Sequence, residues 1–266
     1  MSRIITRRQF CASTLVAGAS ALTGCKLGTT TFAPASDGRI TARPGIAPSA
    51  PIAPGIHDLV VLGSDKHCWM IVPENYTHDQ RWPLTLFFRG AITPSQYYME
   101  PFRPIANELG MVVLAPEATG PTWDLIHYGG FGPDIEFINR ALHTAYQTVN
   151  VDQNKVFTSG FSDGGSFSLS LGLTNGDFFS KIAAHAPGFM RPTTEHGHPQ
   201  FFFAHGEFDE VIPIQASREL TEQLRTSGYD VELNEWAGPH AVSLSQVRSS
   251  FQWMLGLPRT PVETTG

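Results

Sequence analysis

VFTSGFSDGGS, residues 156–166, sets a short run of β-branched and aromatic residues directly before the glycine-rich turn Gly160, Phe161, Ser162, Asp163, Gly164. The first part predicts a strand and the residues from Gly164 onward predict a helix, so Ser162 falls at the tip of a sharp strand-to-helix turn. A serine there holds a strained backbone conformation and presents its hydroxyl at the top of a sheet. Its flanking glycines let strand and helix pass without Cβ collisions. A serine hydroxyl is a poor nucleophile at neutral pH, so this elbow carries chemistry only where a base, an acid and oxyanion donors converge on it.

On both sides of the elbow, apolar runs alternate with helical spacing. Strands are predicted at 58–63, 67–72, 84–89, 111–115, 155–160, 181–186, 200–205 and 230–236. Helices are predicted near 95–109, 134–149, 164–175, 213–227 and 241–255, and Pro104 is expected to bend or interrupt the first. Over 134–149, Ile135, Ile138, Leu142, Ala145 and Val149 share one face. The strands from residue 84 onward are continuous apolar runs, as parallel strands covered on both faces require. The alternation implies an α/β chain: a doubly wound, mostly parallel eight-stranded sheet with helices on both faces and right-handed crossovers. Ligands of such a sheet bind beyond the carboxyl ends of its strands.

The 266 residues, 41% apolar and 11% aromatic, suit one such domain with appendages. No internal period or sustained heptad is present, which argues against a solenoid or a coiled coil. The formal charge of −6 becomes about −9 without residues 1–24, which hold Arg3, Arg7 and Arg8 and no acid. Such a surface does not favour nucleic acid. Residues 1–24 are read as a signal peptide, basic and then mildly apolar, too short and too rich in Gly, Ser and Thr to span a bilayer. Arg7-Arg8-Gln9-Phe10 resembles a twin-arginine export signal, and Leu22-Thr23-Gly24-Cys25 resembles a bacterial lipobox. That resemblance implies lipidation at Cys25, export to the cell envelope or periplasm, and membrane association only through the anchor. Residues 25–55, dominated by Thr, Ala, Pro and Gly, are expected to form a flexible tether. Residues 56–257 then form the body and 258–266 a disordered tail. Of the three cysteines only Cys68 remains in the body, where it reads as a small buried hydrophobe with no disulfide partner.

The strand at 200–205 runs into His205-Gly206-Glu207-Phe208-Asp209-Glu210, where three carboxylates compete for the role of acid. The last strand runs into Ala237-Gly238-Pro239-His240. His240 lies beyond the final strand and after both serine and acid, the chain order serine, acid, histidine of an elbow on a doubly wound sheet. His127, His143, His185 and His205 are taken as structural, and His196 and His198 lack further ligands for a metal. An oxyanion needs two main-chain donors. One is the Asp163 N–H, and the other belongs to the loop after 84–89, where Gly90 and Ala91 sit.

These segments together resemble the α/β-hydrolase superfamily, and within it the phospholipase/carboxylesterase branch of small bacterial esterases. The resemblance spans roughly residues 56–257 and rests on TWDLIHYGGFGPDIEFINRAL, SGFSDGGSFSLSLGLTNGDFF, HAPGFM, HGEFDEVIP and GPHAV, in the family's order. It implies Ser162 as nucleophile and His240 as base. It selects Asp209 as the acid, leaving Glu207 and Glu210 to solvent, and assigns the Asp163 and Ala91 N–H groups to the oxyanion hole. It further implies hydrolysis of small-molecule or lipid carboxylic esters, or thioesters, by an acyl-enzyme route without metal or organic cofactor, and no obligate protein partner. Trp123, Phe131 and Asp134 fall in the segment with which the family lines its acyl pocket or entrance, and packing in the core is the alternative for Trp123 and Phe131. The family's loop carries a His-Gly pair where this chain has Arg89 and Gly90. A guanidinium there either clamps a carboxylate or phosphate of the substrate or forms a salt bridge at the strand end. Two other readings stay open: a tethered binding protein without catalysis, and a depolymerase or esterase acting on a polysaccharide or polyester.

Overall fold

The computed structural model describes residues 36–45 and 48–259. The expected signal peptide at 1–24, Cys25 with the residues up to 35, and residues 260–266 of the expected tail lie outside the described residues. Among the described residues, eight strands make one sheet: β1 (Gly55–Asp58), β2 (Cys68–Val72), β3 (Trp82–Phe88), β4 (Val112–Pro116), β5 (Val151–Phe161), β6 (Lys181–His185), β7 (Gln200–Gly206) and β8 (Val231–Trp236). Their spatial order is β1-β2-β4-β3-β5-β6-β7-β8. Only β2 runs against its two neighbours; the other pairings are parallel. The helices are α1 (Gln96–Leu109), α2 (Asp124–His127), α3 (Pro133–Thr148), α4 (Asp163–Thr174), α5 (Gln215–Thr226) and α6 (Leu244–Leu255). This mostly parallel sheet with helices on both faces is the α/β-hydrolase fold.

Side chains leave a strand alternately to its two faces, and both faces are covered. Leu84, Leu86 and Phe88 pack with Ile135, Ile138 and Leu142 of α3 and Phe167 and Leu171 of α4. Phe87, between them, points the other way, to Phe102 of α1 and Phe251 of α6. The same alternation divides Phe201 and Phe203, which meet α4 and α5, from Phe202, which joins the α1 and α6 side.

Three local expectations are corrected. The first strand ends at Asp58 rather than Gly63. Leu59 and Val61 are buried and Val60 and Leu62 exposed, so the alternation is real, but the chain turns back through a Ser64 N–H to Val61 C=O bond beside a left-handed Gly63. Proline does not interrupt α1, which runs through both Pro101 and Pro104. The two prolines lie on the exposed side, where the carbonyls they leave unpaired can meet water, while Tyr98, Met99, Phe102, Ile105 and Ala106 bury the opposite side.

The third correction concerns the tether. Within 25–55, the described residues lie against the body. Ile40 is 1% exposed. Its N–H donates to Asn175 Oδ1 at 2.8 Å, and Asn175 Nδ2 donates to Gly38 O at 2.8 Å. Asn139 Oδ1 accepts from the N–H groups of Thr41 and Ala42, and the Arg39 guanidinium makes two hydrogen bonds to Asp177. Farther along, Ala50 and Ile52 donate to the last carbonyls of α3, Gln147 and Thr148. Two asparagine side chains thus do for this strap what a neighbouring strand would do, supplying acceptors to a backbone with few large apolar side chains of its own.

Candidate active site

β5 ends at Phe161, and Ser162 follows with φ 56° and ψ −119°. A left-handed φ at a residue with a Cβ is strain, held here by the Ser162 N–H to His185 O bond at 2.8 Å and by the first helical bond from Ser166 N–H back to Ser162 O. The flanking glycines are obligatory for a steric reason. A Cβ on Gly160 would sit 2.2 Å from Gly164 O, and one on Gly164 would sit 2.0 Å from Phe88 O. α4 starts so close to β3 and β5 that no side chain fits between them.

The loop after β7 contributes Asp209 and the loop after β8 contributes His240. They are joined by main-chain bonds from Glu207 N–H to Trp236 O and from Phe208 N–H to Gly238 O. His240 Nε2 lies 3.0 Å from Ser162 Oγ, and His240 Nδ1 lies 2.6 Å from Asp209 Oδ2. Asp209 Oδ1 accepts from the N–H groups of Val211 and Ile212 at 2.9 and 2.8 Å. Burial works to raise the Asp209 pKa, but the His240 hydrogen bond and these two amides outweigh it and hold the carboxyl below its usual range. Glu207 and Glu210 face solvent. The three residues that the chain order brought forward therefore form one hydrogen-bonded line from a buried carboxylate to a nearly buried hydroxyl, the geometry in which an imidazole can take the serine proton.

Across the elbow, Gly90 stands against the serine: a Cβ there would lie 3.4 Å from Ser162 Cβ and 3.2 Å from the Phe161 ring. Among the described residues, no oxygen accepts from the N–H of Ala91 or of Asp163. Both are free to serve an oxyanion formed at Ser162.

The three expected substrate contacts take other places. Trp123 is fully buried, its indole N–H donating to Arg89 O at 2.9 Å and its ring packed on Phe88 and Phe167. Phe131 is buried against Phe167. Of the two readings of Arg89, the salt bridge holds: Nε donates to Glu117 Oε2, and Nη1 donates to Gly90 O at 2.8 Å and Ala91 O at 3.1 Å. Its Nε and Nη1 are thus used inside the protein, on a carboxylate and two carbonyls.

Other residues join the site without a signal in the sequence pattern. The Phe161 ring lies 4.8 Å from the His240 ring, Thr122 Oγ1 donates to Asp163 Oδ2 at 2.8 Å, and His205 Nε2 lies 3.1 Å from Asp209 Oδ2. Below the segment between β4 and α3, Asp124 and Asp134 cap each other's helices: Asp124 N–H donates to Asp134 Oδ2 and Asp134 N–H to Asp124 Oδ2. Among the described residues, no three His, Cys, Asp or Glu side chains are grouped to hold a metal ion. Cys68 is buried and free, and desolvation pushes its thiol far up from the ordinary value, away from the thiolate a nucleophile needs.

The fold and this line of residues define the class: an α/β-hydrolase with a serine elbow. Comparison with known proteins agrees on the fold. The Phospholipase/Carboxylesterase family model matches residues 135–252, the stretch that contains the elbow, Asp209 and His240. The chain is 22% identical to feruloyl esterase D of Neurospora crassa over 187 residues, covering 63% of this chain and 62% of that protein's length. A shorter match, 29% identical over 96 residues, joins 32% of this chain to 19% of a poly(3-hydroxybutyrate) depolymerase of Ralstonia pickettii. Among solved structures, an S-formylglutathione hydrolase from Staphylococcus aureus superposes with a TM-score of 0.63 at 15% identity, over 77% of this chain and 99% of that one. A ferulic acid esterase from Anaeromyces mucronatus superposes with a TM-score of 0.57 at 16% identity, over 74% of this chain and 89% of that one.

Proposed function

We propose that the protein hydrolyses carboxylic esters through an acyl-enzyme formed on Ser162. The observation that carries the reading is the line Ser162 Oγ, His240, Asp209, at 3.0 and 2.6 Å, set on the strained elbow. Asp209, kept ionised, accepts from Nδ1–H and so leaves the Nε2 lone pair facing the serine. Nε2 removes the hydroxyl proton as Oγ attacks the ester carbonyl. The carbonyl oxygen takes the negative charge and receives the Ala91 and Asp163 N–H groups. His240 then returns the proton to the leaving alkoxide, and a water molecule repeats the sequence on the acyl-enzyme. The activities for which the relatives are named, feruloyl esterase and poly(3-hydroxybutyrate) depolymerase, are both ester hydrolyses and support this reaction class.

The test is labelling by a fluorophosphonate probe together with p-nitrophenyl butyrate turnover. Both are expected for the wild type, and both are expected to vanish in Ser162→Ala. A folded wild type that neither labels nor turns over esters would overturn the reading.

In the same reading the N-terminal segment exports the chain and a lipidated Cys25 holds it at the envelope, supported by the sequences Arg7-Arg8 and Leu22-Thr23-Gly24-Cys25. Because the body begins by Ser36, residues 26–35 would then limit the reach from the membrane to about 35 Å. Cys25→Ser is expected to release the protein from membranes, and a variant that stays fully bound counts against the anchor.

A further inference from the structure

Resting on the ester-hydrolase reading, we infer that Arg89 and Glu117 are positioning residues that set the direction of the second oxyanion donor. A trans peptide is planar, with its C=O and N–H pointing to opposite sides. The Gly90–Ala91 peptide presents its carbonyl to Arg89 Nη1 at 2.8 Å, so its N–H, that of Ala91, points away from the guanidinium. The next carbonyl, of Ala91, is drawn to the same nitrogen at 3.1 Å. The loop passes beside the serine at this point, for a Cβ on Gly90 would lie 3.4 Å from Ser162 Cβ. The guanidinium thereby chooses which face of the loop carries the donor.

Glu117, just after β4, makes this orientation rigid. One carboxylate oxygen holds Arg89 Nε, and the other accepts from the N–H of Ser95, the residue before α1. Ser95 Oγ donates to Pro116 O at 3.2 Å. The loop 89–95 is therefore pinned at both ends by a single carboxylate, and its Gly90 and Ala91 carbonyls are pinned by the arginine that carboxylate holds. Arg89 and Glu117 side chains are 8% and 14% exposed, so the pair is little screened by water. A lysine has no planar fork with which to serve a carboxylate and two carbonyls together. The departure from the His-Gly pair is thus a replacement of one loop support by another.

The experiment uses the full chain with p-nitrophenyl butyrate, and measures the Ki of an aryl trifluoromethyl ketone, whose hemiketal oxyanion occupies the donors. Arg89→Met/Glu117→Gln removes both buried charges together, so neither ion is left unpaired. The expected result is a fall in kcat of about 100-fold with KM changed by less than about threefold, and a rise in Ki that follows kcat. Arg89→Lys, which keeps a cation opposite Glu117 and guards the fold, is expected to lose about tenfold in kcat with the same split. An opening of about 390 Å³, lined in part by Trp69, Gln96, Arg89 and Glu117, leads from solvent to this pair. Ethylguanidinium is therefore expected to restore part of the activity of Arg89→Ala. The inference is overturned if kcat in the folded double variant stays within about threefold of wild type, or if kcat falls while Ki stays unchanged. An inactive, unlabelled wild type fails the ester-hydrolase reading and takes this inference with it. An active wild type with unaffected variants fails this inference alone.

Discussion

Two imidazoles share one oxygen of Asp209: His240 Nδ1 lies 2.6 Å from Oδ2, and His205 Nε2 lies 3.1 Å from the same atom. His205 Nε2 is also 2.8 Å from Ile212 O, and its Nδ1 is 2.7 Å from Ser217 Oγ. Both neighbours of Nε2 are acceptors, so Nε2 carries the proton and Nδ1 accepts from the Ser217 hydroxyl. His205 thus bridges β7, the acid and the start of α5. His205→Phe is expected to lower kcat about tenfold through displacement of Asp209. It is also expected to cost about 1–3 kcal/mol of stability through the orphaned Ser217 and Ile212 groups. His205→Gln, with an amide donor near the Nε2 position, should recover part of both. Urea unfolding and steady-state kinetics check the pair.

Asp209→Asn should act through the tautomer of His240. An amide NH₂ in place of Oδ2 makes Nδ1 an acceptor and puts the proton on Nε2, where it faces Ser162 Oγ and can no longer receive its proton. A loss in kcat of roughly 10⁴-fold is expected, with little change in fold. Combining it with Ser162→Ala should cost no more than Ser162→Ala alone, because the residues act as one unit. An additive double variant would contradict a shared proton path.

The Asp124 and Asp134 pair gives stability an unusual pH dependence. Burial and the neighbouring Asp134 carboxylate push Asp124 up to about 6. Burial raises Asp134 as well, against the bonds it accepts. In the unfolded chain these carboxyls titrate near 3.9. Between about pH 4 and 6 the folded state therefore holds a proton that the unfolded state has released, and the pair's contribution weakens as pH rises through that window. Asp209 works in the opposite sense: its pKa is depressed, so its contribution is present above about pH 4 and is lost as pH falls below. Asp124→Asn keeps an acceptor for the Asp134 N–H and removes one titration. Its Tm should decline less than that of the wild type from pH 4 to 6, and parallel Tm curves would refute the assignment.

The strap at 36–45 should be part of the stable body. Ile40→Ala is expected to cost about 2–4 kcal/mol, as for other buried large-to-small changes. Deletion of residues 1–53, which removes Ile40 and the Arg39–Asp177 pair, should lower Tm well below that of a chain lacking only 1–34. Equal Tm values for the two deletions would show that the strap adds nothing.

Ser162 and His240 are legible in local patterns, glycines two residues either side of a serine and a histidine in the turn after β8, whereas three carboxylates share the turn after β7 and only the family resemblance singles out Asp209. The bounds of the first strand are less legible. Val60 and Leu62 keep a period-two pattern after the ladder has ended, since periodicity records burial and not hydrogen bonding. The strap reads as a tether for the converse reason. Its composition is that of a linker, and what holds it is Asn139 and Asn175, roughly a hundred or more residues away in sequence.

Local sequence specifies the alternation of strands and helices, the elbow and the order of serine, acid and histidine, because steric limits on φ and the spacing of apolar side chains act over a few residues. Tertiary structure alone decided what Arg89, Trp123, Phe131 and His205 do. Each is defined by a partner brought near by sheet assembly: Glu117 for Arg89, Phe167 for both aromatics, Asp209 for His205. Whether a guanidinium meets substrate or a buried carboxylate depends on where two strands end relative to each other, and that is settled when the sheet closes around its core.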